Sequence, residues 1–108
     1  MISKKKFFTE QKTPSVSETM TNTRGTVLTI QATGAATSFE YEVLGCSDLE
    51  SGEFVVLNGI NTGSYSIYNQ VSELGIYQYD ITGIGQIKVN LASVSGGDLT
   101  ITGISSEG

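Results

Sequence analysis

The sequence predicts an all-β protein: an antiparallel β-sandwich of about seven strands, jelly-roll or immunoglobulin-like, with an extended N-terminal arm. Three observations carry this expectation. From Thr26 onward, apolar residues recur with period two, the spacing of half-buried strands. Thirteen glycines in 108 residues fall largely between those segments, close to twice the usual share of roughly 7%. No stretch of ten residues carries a helical apolar stripe.

The strands follow in order. Leu28, Ile30 and Ala32 share one face of the first, with Val27, Thr29 and Gln31 on the other. Phe39, Tyr41 and Val43 alternate with Glu40 and Glu42, a strand with its acids outward. Phe54-Val55-Val56-Leu57 is a short apolar strand, and Tyr65-Ser66-Ile67-Tyr68 a weaker one. Tyr77, Tyr79 and Ile81 alternate with Ile76, Gln78 and Asp80. Ile87, Val89 and Leu91 form the sixth strand, and Leu99 with Ile101 the seventh. Turn signals such as Asn58-Gly59, Gly83 and Gly96-Gly97 separate them. The expected organisation is an extended basic arm over residues 1–24 and a sandwich domain over residues 25–108.

Charge divides the chain at the same place. Residues 1–24 hold Lys4, Lys5, Lys6, Lys12 and Arg24 against two acids, and the rest holds Lys88 against nine acids. A basic arm precedes an acidic body. Such a body repels phosphate backbones, so nucleic acid is not an expected partner. No apolar run reaches the eighteen residues of a membrane span, and no apolar stretch follows the basic start as a secretory signal requires. The chain is therefore expected to be made in a cytoplasm, and to leave it only if a particle carries it. Phe7 and Phe8 are adjacent aromatics in a polar segment, which favours docking over solvation.

The sequence points away from catalysis. With no histidine and one cysteine, it offers neither His-based acid–base chemistry nor an intrachain disulfide. Glu40 and Glu42 stand roughly 6.5–7 Å apart along one strand face, a separation glycosidases use, but also that of any solvated strand surface. Ser47-Asp48-Leu49-Glu50-Ser51-Gly52-Glu53 clusters oxygen ligands without the order of a calcium loop, and reads as an acidic turn. Cys46 has no cation beside it in sequence and reads as a small semi-buried residue. The glycine-rich stretches at Gly83-Ile84-Gly85 and Gly96-Gly97 precede no Lys-Ser/Thr pair and read as turns. Tyr77 and Tyr79 belong to the core by their spacing, whereas Tyr65 and Tyr68 are candidates for a surface. No metal or cofactor is expected.

From Gly25 onward the order of motifs resembles small β-sandwich structural proteins of bacteriophage particles. The residues that carry it are Phe39-Glu40-Tyr41-Glu42-Val43-Leu44-Gly45-Cys46-Ser47-Asp48, then Phe54-Val55-Val56-Leu57. Gly75-Ile76-Tyr77-Gln78-Tyr79-Asp80-Ile81-Thr82-Gly83 and Ile87-Lys88-Val89-Asn90-Leu91 follow, and Ser95-Gly96-Gly97-Asp98-Leu99-Thr100-Ile101-Thr102-Gly103 closes the pattern. Cys46 interrupts a Gly-Ser pair, and Phe54 stands where relatives often carry Trp. The resemblance implies a component of a virion, on head, neck or tail, and brings no catalytic residues.

Two functions follow as expectations. The first is a non-enzymatic virion protein of the capsid decoration or cement type. It would oligomerise, as a homotrimer on a symmetric shell, and attach to the major capsid protein or another virion protein. Its contacts would be Lys4, Lys5, Lys6, Phe7, Phe8 and Arg24. The second is a carbohydrate- or host-surface-binding module of a phage tail. There Tyr65 and Tyr68 would stack on sugars, and Asn61 and Asn69 would pair with hydroxyls.

Overall fold

The computed structural model describes residues 2–47 and 53–107. Its strands are β1 (Ile2–Gln11), β2 (Ser15–Val16), β3 (Met20–Thr21), β4 (Val27–Thr33), β5 (Ser38–Cys46), β6 (Val55–Val56), β7 (Gly59–Asn61), β8 (Ile67–Tyr68), β9 (Gly75–Asp80), β10 (Gln86–Ser95) and β11 (Leu99–Ser106). They form two antiparallel sheets, the all-β sandwich that the alternation calls for. One sheet runs β1-β11-β4-β9-β7-β8; the other runs β2-β10-β5-β6, with β3 also on β10.

Period-two patterning places the core. Leu28 and Ile30 of β4, Tyr77 and Tyr79 of β9, and Leu99 and Ile101 of β11 point inward from the six-stranded sheet. Phe39, Tyr41 and Val43 of β5, and Ile87, Val89 and Leu91 of β10, meet them from the other sheet. The intervening positions of β4, β5 and β9 include Thr29, Gln31, Gln78, Glu40 and Glu42, none of them buried. Between β8 and β9 the chain crosses to the second sheet, where Val71 exchanges both backbone hydrogen bonds with Tyr41 at 2.9 and 2.8 Å.

The N-terminal segment corrects one expectation. Residues 2–11 are extended, but they are the edge strand of the larger sheet, paired with β11 from Ile2–Ser106 to Gln11–Leu99. Residues 15–21 then run along β10 at the edge of the smaller sheet. Residues 2–21 thus contribute an edge to both layers instead of reaching away from the body.

Phe7 and Phe8 show why. The register passes from Lys6–Thr102 to Phe8–Ile101, two steps on β1 for one on β11. That is a β-bulge, and it cancels one reversal of side-chain direction. Adjacent residues that would face opposite sides therefore both face inward, and each phenylalanine is 6% exposed. They belong to the core, not to a partner. Gly103 makes this possible: a Cβ there would stand 2.6 Å from the Phe7 ring. A second irregularity lies between Phe8 and Gln11, where Glu10 adopts φ +46° and donates its N–H to the Thr100 hydroxyl at 3.0 Å.

Seven of the eleven strands correspond to the segments that alternation identifies. β1, β2, β3 and β7 do not.

Candidate functional site

The structure separates the expected contact residues. Lys4 and Lys6 pair with Ile104 and Thr102, outward positions of β11, and project exposed from the outer face of the larger sheet. Lys5 occupies the intervening inward register and reaches Glu18 across the gap between the sheet edges, at 3.9 Å. Glu18 lies in solvent while Lys5 is half-buried, and an ion pair with one partner so exposed contributes little stability. Arg24 is exposed, and it lines a cleft together with Ser3, near the start of β1. The lysines of β1 and Arg24 therefore lie along one side of the molecule, whereas Phe7 and Phe8 anchor that side from within.

Beyond β1 the larger sheet has no further strand among the described residues. Lysines on a long edge strand, and bulges that twist it, are the usual guards against indiscriminate edge pairing.

The four glycan candidates sit around the β7–β8 hairpin, where Asn61 and Tyr68 are engaged and Tyr65 and Asn69 are exposed. The Asn61 carboxamide oxygen accepts from the N–H groups of Gly63 and Ser64 at 2.8 and 3.1 Å, and the Asn61 carbonyl accepts from Tyr65 N–H at 2.7 Å. Tyr68 leans edge-on against Tyr77, with ring centroids 5.7 Å apart. Tyr65, at φ +60°, is 80% exposed on the hairpin tip, and Asn69 is exposed beyond it. Ile60 and Ile67 pair across the hairpin and face solvent.

Elsewhere the candidate chemistry resolves into fold. Glu42 accepts from the Asn90 amide at 3.1 Å. Lys88 lies 4.1 Å from the centre of the Phe54 ring, a cation–π contact. Cys46 is buried. The acidic turn falls mostly at residues 48–52, outside the described residues. The hydroxyls of Tyr41 and Tyr79 are buried with no protein hydrogen-bond partner. Burial pushes both phenols well above the usual tyrosine range, and neighbouring tyrosines add to the shift. Asp80 accepts from Thr82 N–H at 3.0 Å, and hydrogen bonds from Thr82 lower its carboxyl below the ordinary range.

At the end of the sandwich near Arg24 lies an open cleft of about 460 Å³. Its wall is set by Asn22, 8% exposed, whose amide donates to the carbonyls of Gly25 and Ile84 at 3.0 and 2.9 Å. The Asn22 carboxamide oxygen accepts from Gly25 N–H at 2.8 Å. This clip ties the link between the sheets to the β9–β10 turn. Sequence reasoning singled out Arg24 and the Gly83-Ile84-Gly85 turn but did not join them. The Asn22-to-Gly25 spacing is a local signal of an Asx-type turn; the partner at Ile84 has none.

Fold and site together define a small two-sheet β-sandwich, with a basic edge and a cleft at one end. The family model for XepA matches residues 4–105, and the chain belongs to the XepA family. The SPBc2 prophage-derived protein YomS is similar in structure, with a TM-score of 0.89 and 24% identity over 97% of this chain and 92% of YomS. The PBSX exported protein XepA is similar with a TM-score of 0.91 and 20% identity over 97% of this chain. The chain spans only 37% of that XepA chain. These likenesses show the shared fold. No curated protein matches the sequence.

Proposed function

We propose that this chain is a non-enzymatic structural protein of a phage, acting as a capsid decoration protein that binds a particle through its basic edge and associates with copies of itself. The observation that carries the reading is the placement of Lys4 and Lys6 on an exposed edge of an otherwise acidic protein. The family supports the phage setting, since YomS is prophage-derived and XepA is an exported protein of PBSX.

The mechanism is contact without chemistry. Phe7 and Phe8 fix β1 to the core, so its lysines are presented at set positions and little side-chain-bearing backbone must be ordered on binding. An acidic particle surface would attract that edge over about one Debye length, close to 10 Å at 0.1 M salt. The exposed Ile60, Ile67 and Tyr65 at the opposite edge give an apolar surface for self-association.

The test is co-sedimentation with gradient-purified phage particles from the strain that encodes the chain, with immunogold labelling of the same fractions. The reading expects the chain on particle heads, released by raised salt. Particles without the chain would overturn it.

A further inference from the structure

We propose that the cleft at the Arg24 end of the sandwich is a carboxylate-binding site, which receives an acidic side chain of a protein partner. This rests on the reading of the chain as a contact protein and names the chemistry one of its contacts would take.

The cleft is built by hydrogen bonds and is not an accident of loose loops. The Asn22 clip holds one wall through three hydrogen bonds between 2.8 and 3.0 Å. The opposite wall is held by Asn22 N–H donating to Gly85 carbonyl, Gly85 N–H to Cys46 carbonyl and Ile84 N–H to Ile81 carbonyl, at 2.8 to 3.0 Å. A ligand group entering here therefore meets positions already ordered.

Arg24 is the one charged residue that lines the cleft among the described residues. Thr23 and Ser47 line it with Arg24, and their side chains carry hydroxyl donors. Asp80, in the adjoining cleft, is turned to Thr82, which supplies both a backbone and a side-chain hydrogen bond to it. A single cation balances a single negative charge. Phosphate carries nearer two charges at neutral pH and ordinarily collects several cations. The planar guanidinium fork matches a carboxylate with two parallel hydrogen bonds.

Gly83 has φ +80° and nothing within 4 Å of where a Cβ would stand. Gly83 lines the cleft with no side chain over its backbone, so a partner's main chain can approach closely there. The volume, about 460 Å³, falls within the usual range of ligand sites, roughly 300–1,000 Å³, and holds an aspartate or glutamate side chain with its flanking backbone.

The experiment is an amide NMR titration of the isolated 108-residue chain with three probes: N-acetyl-glutamate N-methylamide, the matching glutamine compound and inorganic phosphate. The glutamate probe should give saturable shifts at Thr23, Arg24, Gly83 and Gly85, with a Kd on the order of millimolar. The glutamine probe should give none. Arg24→Gln should weaken the glutamate probe at least about fivefold, a loss of roughly 1 kcal/mol, while Lys12→Gln leaves it unchanged. Arg24 is exposed, so the variant's dispersed spectrum verifies its fold. Shifts that do not saturate, equal binding of the glutamine probe, tighter binding of phosphate or an indifferent Arg24→Gln would each overturn the assignment. The particle experiment separates the two proposals. A chain that binds the glutamate probe but no particle keeps the cleft and loses the decoration role; particle binding without glutamate binding does the reverse.

Discussion

The two edges of the six-stranded sheet solve the edge problem in opposite ways. β1 is ten residues long, bulged, and carries lysines outward with two phenylalanines beneath it. β8 is two residues long, and its hairpin leaves Ile60, Tyr65 and Ile67 in solvent. One edge is anchored by buried aromatic surface and advertises charge. The other is held by a polar turn centred on Asn61 and advertises apolar surface. Burial at an edge, not its length alone, decides which side chains belong to the fold and which remain for contacts.

Removing the anchor is the strongest way to break this comparison. Phe8→Ala should cost about 3–5 kcal/mol in denaturant unfolding, as for other buried aromatic deletions, and Phe7→Ala a similar amount. A loss under about 1 kcal/mol would mean that β1 is held mainly by its backbone ladder. Gly103→Ala comes next, since its Cβ would press on the Phe7 ring; overpacking of this kind costs roughly 1–3 kcal/mol. Restored stability in the double variant with Phe7→Leu would locate the strain at that contact.

The two buried phenols sharpen the picture under the opposite edge, where Tyr79 pairs with Gly59 of β7. Their folded-state values are raised, so their contribution is complete below the ordinary tyrosine range, near pH 10. Above it the unfolded chain loses protons that the folded chain keeps. Stability should then fall with pH, by up to about 1.4 kcal/mol per unit for each tyrosine. Chemical denaturation at pH 9, 10 and 11 checks the slope, and Tyr79→Phe should reduce it. At pH 7, Tyr79→Phe should leave stability unchanged or raise it by about 1 kcal/mol, because the buried hydroxyl has no protein partner. A clear destabilisation would show that the hydroxyl is satisfied. Smallest of all, Tyr65→Ser with Ile67→Ser should shift stability by no more than about 0.5 kcal/mol. The same variant should weaken self-association in sedimentation velocity; unchanged association would move that contact elsewhere.

The contrast between the edges also marks what the sequence made legible. Tyr77, Tyr79, Ile87 and Leu91 follow an unbroken alternation, and their burial could be read directly. β1 could not, because the bulge at Phe7 spoils the period just where its core residues lie. Adjacent aromatics in a lysine-rich segment then look like a docking motif. β7 was hidden because Gly59 and Asn61 read as turn residues, and Gly59 is needed for the Tyr79 ring packed 2.5 Å from its Cβ position. The clustering of the lysines was readable from charge alone, and Lys4 and Lys6 are exposed. The cleft was not readable, since the Asn22–Ile84 hydrogen bond joins residues 62 apart.

The central claim is that β1 divides its labour, with phenylalanines for the fold and lysines for the contact. The most direct measurement compares Lys4→Glu/Lys6→Glu with the wild-type chain for both thermal unfolding and co-sedimentation with phage particles. The account predicts an unchanged melting temperature, since both residues are exposed, together with loss of particle binding. Retained binding by a folded charge-reversed chain would contradict it.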